Sequence, residues 1–129
     1  MVSGQKVLAV MEKAREAQEA LYFDTCTVTE YQESFDSETG LSSFSEVVTL
    51  QSQPCKLSFE TLKEATSTGS SVAVSQVTKL FISPDVTIHP GAKISVTRNN
   101  KTIDYACSGE PFIDSIHQEI VLTLFKGWA

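Results

Sequence analysis

The feature that most constrains this 129-residue chain is a switch in the spacing of its apolar residues near Asp24. From Gln5 to about Tyr22, Val7, Val10, Met11, Ala14, Ala17 and Leu21 recur at intervals of three and four, while Glu12, Glu16 and Glu19 point elsewhere. That period predicts an amphipathic helix within an N-terminal segment bounded at 1–23. Ser3 is placed to cap its first turn through a side-chain oxygen, although Lys6 stands where a full capping box would carry Glu or Gln. Beyond Asp24 the period falls to two and turn-forming residues punctuate the sequence, so the remainder predicts half-buried strands.

The strands can be followed in order. Cys26, Val28 and Glu30 share one face of the first, with Thr27, Thr29 and Tyr31 on the other; Asp36 to Gly40 reads as a turn, and Ser45 to Gln51 as the next strand. Pro54 cannot donate to a ladder, which predicts an edge position or a bulge before Cys55, Leu57 and Phe59 resume the alternation. Val77 to Ser83 is a strand stopped by Pro84, and Pro90-Gly91 is a tight turn. Lys93 to Arg98 and Thr102 to Cys107 pair through Asn99-Asn100, which suits a two-residue hairpin with positive φ. In the last strand, Gln118 to Phe125, apolar residues on both faces predict cover on both sides, for which the N-terminal helix is available.

One stretch departs from the pattern. Residues 60–76 are mostly small and polar around a Gly-Ser-Ser centre, which predicts a long mobile loop in the isolated subunit; loops of that length are functional or disordered, or idle insertions. Together these readings give a mainly β fold, a small antiparallel β-barrel or sandwich with an N-terminal α-helix and one long loop, in a single domain over 1–129.

Composition excludes several function classes. With 41% hydrophobic and 20% charged residues the chain is expected to be ordered. Its 16 acidic against 10 basic residues, net -6, disfavour tight binding to phosphate backbones. The apolar run Val7 to Met11, flanked by Lys6 and Glu12, is too short for a membrane span or a secretory signal, which places synthesis in the cytoplasm. Cys26, Cys55 and Cys107 are widely spaced and odd in number, as befits reduced, packed thiols.

Chemistry-bearing motifs are sparse. His89 and His117 are far apart and no Cys-x-x-Cys occurs, so neither a metal site nor another cofactor is expected. There is no phosphate-binding glycine loop, and Glu30 with Glu33, or Asp36 with Glu38, read as solvated acids in or beside turns. Cys107 with His117 is the one nucleophile–base pair near in sequence, and nothing local supports it; His117 reads more simply as a sheet-surface residue and His89 as a turn residue before Pro90. The expectation is a protein that is not an enzyme and that works by assembly.

Four stretches carry a resemblance: Tyr22 to Gln32 (YFDTCTVTEYQ), Gln53 to Phe59 (QPCKLSF), Val74 to Val96 (VSQVTKLFISPDVTIHPGAKISV) and His117 to Ala129 (HQEIVLTLFKGWA). In their order and spacing the chain resembles the head-closure proteins, also called head-to-tail joining or stopper proteins, of long-tailed bacteriophages and prophages. The first helix fits that family less well than the rest. The resemblance implies a small β-barrel in the virion neck, monomeric when isolated and a homo-oligomeric ring in the particle. Its partners would be the portal and adaptor ring above and the tail-completion protein below, with DNA passing through the channel without specific binding. It also implies that the 60–76 loop, with Glu60, Lys63, Glu64, Ser70, Ser71, Val72 and Val74, reaches into the channel and orders against neighbouring copies. Val72 and Val74 would supply a short alternating strand there, and Glu60 and Glu64 would repel phosphate. The alternatives are a tail-terminator or tail-completion subunit, a small ligand-binding or nucleic-acid-binding barrel, and an enzyme built on Cys107 and His117.

Overall fold

The computed structural model describes residues 4–65 and 72–128, with the backbone alone at 62–65 and 72–74. Helix α1 (Gly4–Glu19) precedes strands β1 (Asp24–Asp36), β2 (Leu41–Ala65), β3 (Val72–Ile82), β4 (Lys93–Arg98), β5 (Lys101–Cys107), β6 (Phe112–Ile113) and β7 (Gln118–Leu124). All pairings are antiparallel. The sheet order is β3-β2-β1-β4-β5-β7-β6, and an additional β3–β7 ladder closes the sheet into a barrel. The expectation of a mainly β barrel with one N-terminal helix holds.

Closure depends on β3 and β7 alternating correctly. Leu80 lies opposite Leu57 on β2 and opposite Ile120 on β7, so a row of apolar side chains crosses the seam. Leu80, Ile82, Ile94, Val28 and Ile120 are fully buried, and Cys26, Cys55 and Cys107 join them as free thiols. Such burial contributes roughly 25 cal/mol per Å² of apolar surface.

The turns follow their chemistry. Asn99 and Asn100 both take positive φ, 51° and 63°, joining β4 to β5 as the paired asparagines predict. Between β1 and β2, Gly40 (φ 71°) donates its N–H to the Asp36 carbonyl at 2.8 Å, and the Asp36 carboxylate accepts from the Glu38 N–H. Pro54 lies opposite Thr25, one residue before β3 takes up pairing with β2 at Cys55. Just before it, Ser52 has φ 52°, and the β1–β2 register slips between Cys26 and Val28 and again between Val28 and Thr29. These bulges let a 25-residue strand serve two sets of neighbours.

Three expectations need correction. Residues 60–76 are not one loop: 60–65 and 72–76 are hairpin arms, paired from Glu60↔Val77 to Ala65↔Val72. A two-stranded ribbon needs no buried face, so its small polar residues carry no alternation to betray it. Ser70 and Ser71, like the capping residue Ser3, lie outside the described residues. Second, α1 does not cover β7. On that strand Ile120 and Leu122 point inward while Val121, on the other face, is 43% exposed, an ordinary occurrence on a barrel exterior. The helix instead leans on the turn after β3, where Arg15 donates to Ser83 Oγ at 2.7 Å and Asp85 Oδ2 at 2.6 Å. Third, the helix ends at Glu19 and no residue of it is buried.

Candidate functional site

The barrel leaves two ribbons unaccompanied. β4 pairs with β1 only over Thr25–Thr29, so residues 30–36 of β1 and 41–47 of β2 have only each other as partners. β7 pairs with β3 only over Thr78–Ile82, so the same holds for 60–65 against 72–77. Both ribbons are built on β2, one at each end, and among the described residues their outer edges carry unpaired backbone groups, the template to which a further strand can add.

Of the predicted channel residues, Glu60, Lys63, Glu64, Val72 and Val74 fall on the β2–β3 ribbon. Glu60 is half-buried and its carboxylate lies 3.2 Å from Lys79 Nζ, so its charge is partly compensated within the chain. By backbone register Lys63 lies opposite Val74, Glu64 opposite Ala73 and Val72 opposite Ala65. Val72 and Val74 are thus in a strand that already pairs within its own subunit, where the expectation was a strand formed between copies.

The β1–β2 ribbon was not singled out from sequence, yet its register gathers an aromatic face. Tyr31 and Phe44 stack with ring centroids 5.4 Å apart, and Trp128 from the segment after β7 packs on Tyr31 at 5.2 Å while donating to Glu46 at 2.9 Å. Phe125 meets the Trp128 ring edge-on at 5.0 Å, and Lys93 Nζ sits 5.1 Å from the Phe125 centroid. Further out, Phe35 and Phe44 are 67% and 57% exposed. The signal was present as Tyr31, Phe35 and Phe44 around a glycine turn, but it becomes a surface only once the register is known. A cleft of about 320 Å³ beside this face is lined by Glu30, Tyr31, Pro90 and Trp128, and His89 is hydrogen-bonded to Glu30 at its margin.

The scaffold beneath is pinned by an ion pair that sequence did not reveal. Asp24, 1% exposed at the start of β1, accepts two bonds from Arg98 on β4, at 2.8 and 2.7 Å, and one from the Leu57 N–H at 2.9 Å; Arg98 also donates to the Leu57 carbonyl at 2.6 Å. Burial is the largest single influence on the Asp24 carboxyl and pushes its pKa up, but the bonds from Arg98 and Leu57 with the guanidinium charge outweigh it and hold the carboxyl below its ordinary range. β1, β2 and β4 are thereby joined at one end of the barrel.

The candidate nucleophile has the opposite character to an activated one. Burial, with Glu110 adding to it, pushes the Cys107 thiol up, and its Sγ donates to the Gly109 carbonyl at 3.6 Å. His117 faces Asp114 and Glu119 instead, at 3.0 and 3.5 Å.

No protein-family model matches the sequence, and no curated protein matches it. Among solved structures, the chain is similar to protein xkdH of the phage-like element PBSX from Bacillus subtilis, with a TM-score of 0.50 and 14% identity. The two chains share a fold. The match spans 79% of this chain and 94% of xkdH, so nearly the whole of xkdH is accounted for by the architecture described above.

Proposed function

We propose that the chain is a structural subunit of a phage or prophage particle. Within that class it acts as a head-closure protein: copies form a ring below the portal and its adaptor, close the DNA-filled capsid and offer the surface to which the tail attaches. The observation that carries this reading is the fold held in common with a protein of a phage-like element, over most of both chains.

The ribbons supply a physical route to a ring. A closed barrel has no edges of its own to offer, whereas open-edged ribbons at opposite ends of β2 suit strand addition between copies. Because 60–65 and 72–77 are already paired in one chain, assembly has less ordering entropy to offset than a structureless loop would impose. The net charge of -6 suits a DNA conduit, since phosphate is repelled from the wall. With Glu60 facing Lys79, that repulsion is a property of the ring as a whole more than of Glu60. No cofactor or catalytic step enters this role, and the isolated chain is a monomer that the portal complex recruits.

Particles assembled without the chain test the reading. They are expected to package DNA and then lose it, so that it becomes nuclease-sensitive, and to remain tailless. Full heads beside unattached tails would instead favour a tail-completion role. Full, tailed, infective particles would end the proposal.

A further inference from the structure

Among the described residues two apolar faces are left largely in solvent, the second beyond the end where Trp128 packs on Tyr31, and they complement each other. On α1, Val7 and Val10 are 50% and 65% exposed, because the helix is held to the barrel along a different side by Arg15, with Met11, Gln18 and Glu19 half-buried. At about 100° per residue, Val7, Val10, Ala14 and Ala17 form one strip along the helix, and Lys6 and Lys13 run down its flank. On the β1–β2 ribbon, the register Thr29↔Val48, Tyr31↔Glu46, Glu33↔Phe44 and Phe35↔Ser42 puts Tyr31, Phe35, Phe44 and Val48 on one face. Glu33 and Glu46 stand among them.

We infer that this ribbon face receives helix α1 of a second copy of the chain. Charge selects the occupant. Residues 30–47 contain Glu30, Glu33, Asp36, Glu38 and Glu46 and no lysine or arginine, so the ribbon repels most of a surface whose net charge is -6. Exposed Lys13 on the flank of α1 is a cationic border beside the apolar strip, and it meets that ribbon with opposite sign. The lengths also agree: 16 helical residues span about 24 Å at ~1.5 Å each. Residues 29–36 of β1 span about 27 Å at ~3.4 Å each. The helix of the same chain leaves the ribbon's Phe35 and Phe44 in solvent, so the contact is made between copies. Repeated head to tail, one helix on the next ribbon generates a ring or an open chain of subunits. The inference deepens the head-closure reading and rests on it for the finished ring, while the pairwise contact is measurable without any particle.

Photo-crosslinking tests it. Benzoylphenylalanine replaces Phe44, an exposed position, in purified chain at several hundred micromolar, with isotopically light and heavy copies mixed so that inter-chain adducts are recognised by mass. The expected adducts fall within residues 4–19 of the other copy. Lys13→Glu and Glu33→Lys should each lower their yield several-fold, and the two together should restore it. Adducts elsewhere on the partner copy, or none at that concentration, overturn the inference, as does a yield unmoved by both charge reversals. If adducts map elsewhere while particles lacking the chain leak DNA, the helix contact fails and the ring reading stands. If adducts reach α1 while such particles stay full and infective, the outcome is the reverse.

Discussion

Replacing Arg98 by alanine is expected to destabilise the protein by about 3 kcal/mol and to make its stability rise in mild acid, where the native chain holds steady. Removing one partner of a buried pair costs about 3–5 kcal/mol because the other charge is left uncompensated. The lower end applies because the Asp24 side chain is fully buried but Arg98 keeps 33% of its own in water. The pH dependence follows from the direction of the Asp24 shift. In the native chain its pKa is depressed, so the pair's contribution is fully present above the unfolded carboxylate value of about 3.9 and is lost as pH falls through the lower folded value. Without Arg98, burial becomes the dominant influence and the folded pKa rises above the unfolded one. The buried charge then weakens the fold at neutral pH, and protonation relieves it. Urea midpoints at pH 7 and pH 5 check this: for this group the native chain should hold steady, whereas Arg98→Ala should gain stability at pH 5. A variant that loses stability on acidification would show that Asp24 is not the buried charge it is taken to be.

The second large effect concerns the seam. Leu80→Ala should cost about 3 kcal/mol, within the ~2–5 kcal/mol found for leucine truncation in cores, because Leu80 is fully buried between Leu57 and Ile120 where β3 closes on β7. Val121→Ala, on the outward face of the same ladder and 43% exposed, should change stability by no more than about 0.5 kcal/mol. Thermal or denaturant unfolding compares the two. Equal losses would mean that the β3–β7 ladder is held by something other than this row of side chains. The seam matters for function because the ribbons leave the barrel from β2, and only a closed barrel fixes their directions.

The parts legible in the sequence are those where burial imposes a period. Lys93 to Arg98, the Asn99-Asn100 turn and the strand from Gln118 have one face in the core, so composition and position agree there. Leu41 to Phe44 lie in a ribbon that is exposed on both sides, and 60–65 in a second ribbon paired along one edge only, so the core imposes no alternation there. The small polar run at 60–76 therefore reads as a loop although most of its described backbone is paired. The exposed Val121 misled in the other direction, since an apolar residue on a barrel exterior need not have a cover. Asp24 and Arg98 are 74 positions apart, and no local spacing announces a pair that only the fold brings together. Of the candidate site, the β2–β3 segment reads as a loop in the sequence and is a paired ribbon over its described residues. The aromatic face of the β1–β2 ribbon needed the cross-strand register before Phe35, Phe44 and Tyr31 could be seen as one surface.

Electron microscopy of the purified chain, added to portal–adaptor complexes from particles that lack it, addresses the assembly role most directly. A closed ring of barrels on the portal axis, with the ribbons of 60–65 and 72–77 turned toward the channel, is the predicted image. Complexes that stay bare, or that carry isolated copies off the axis, would contradict it.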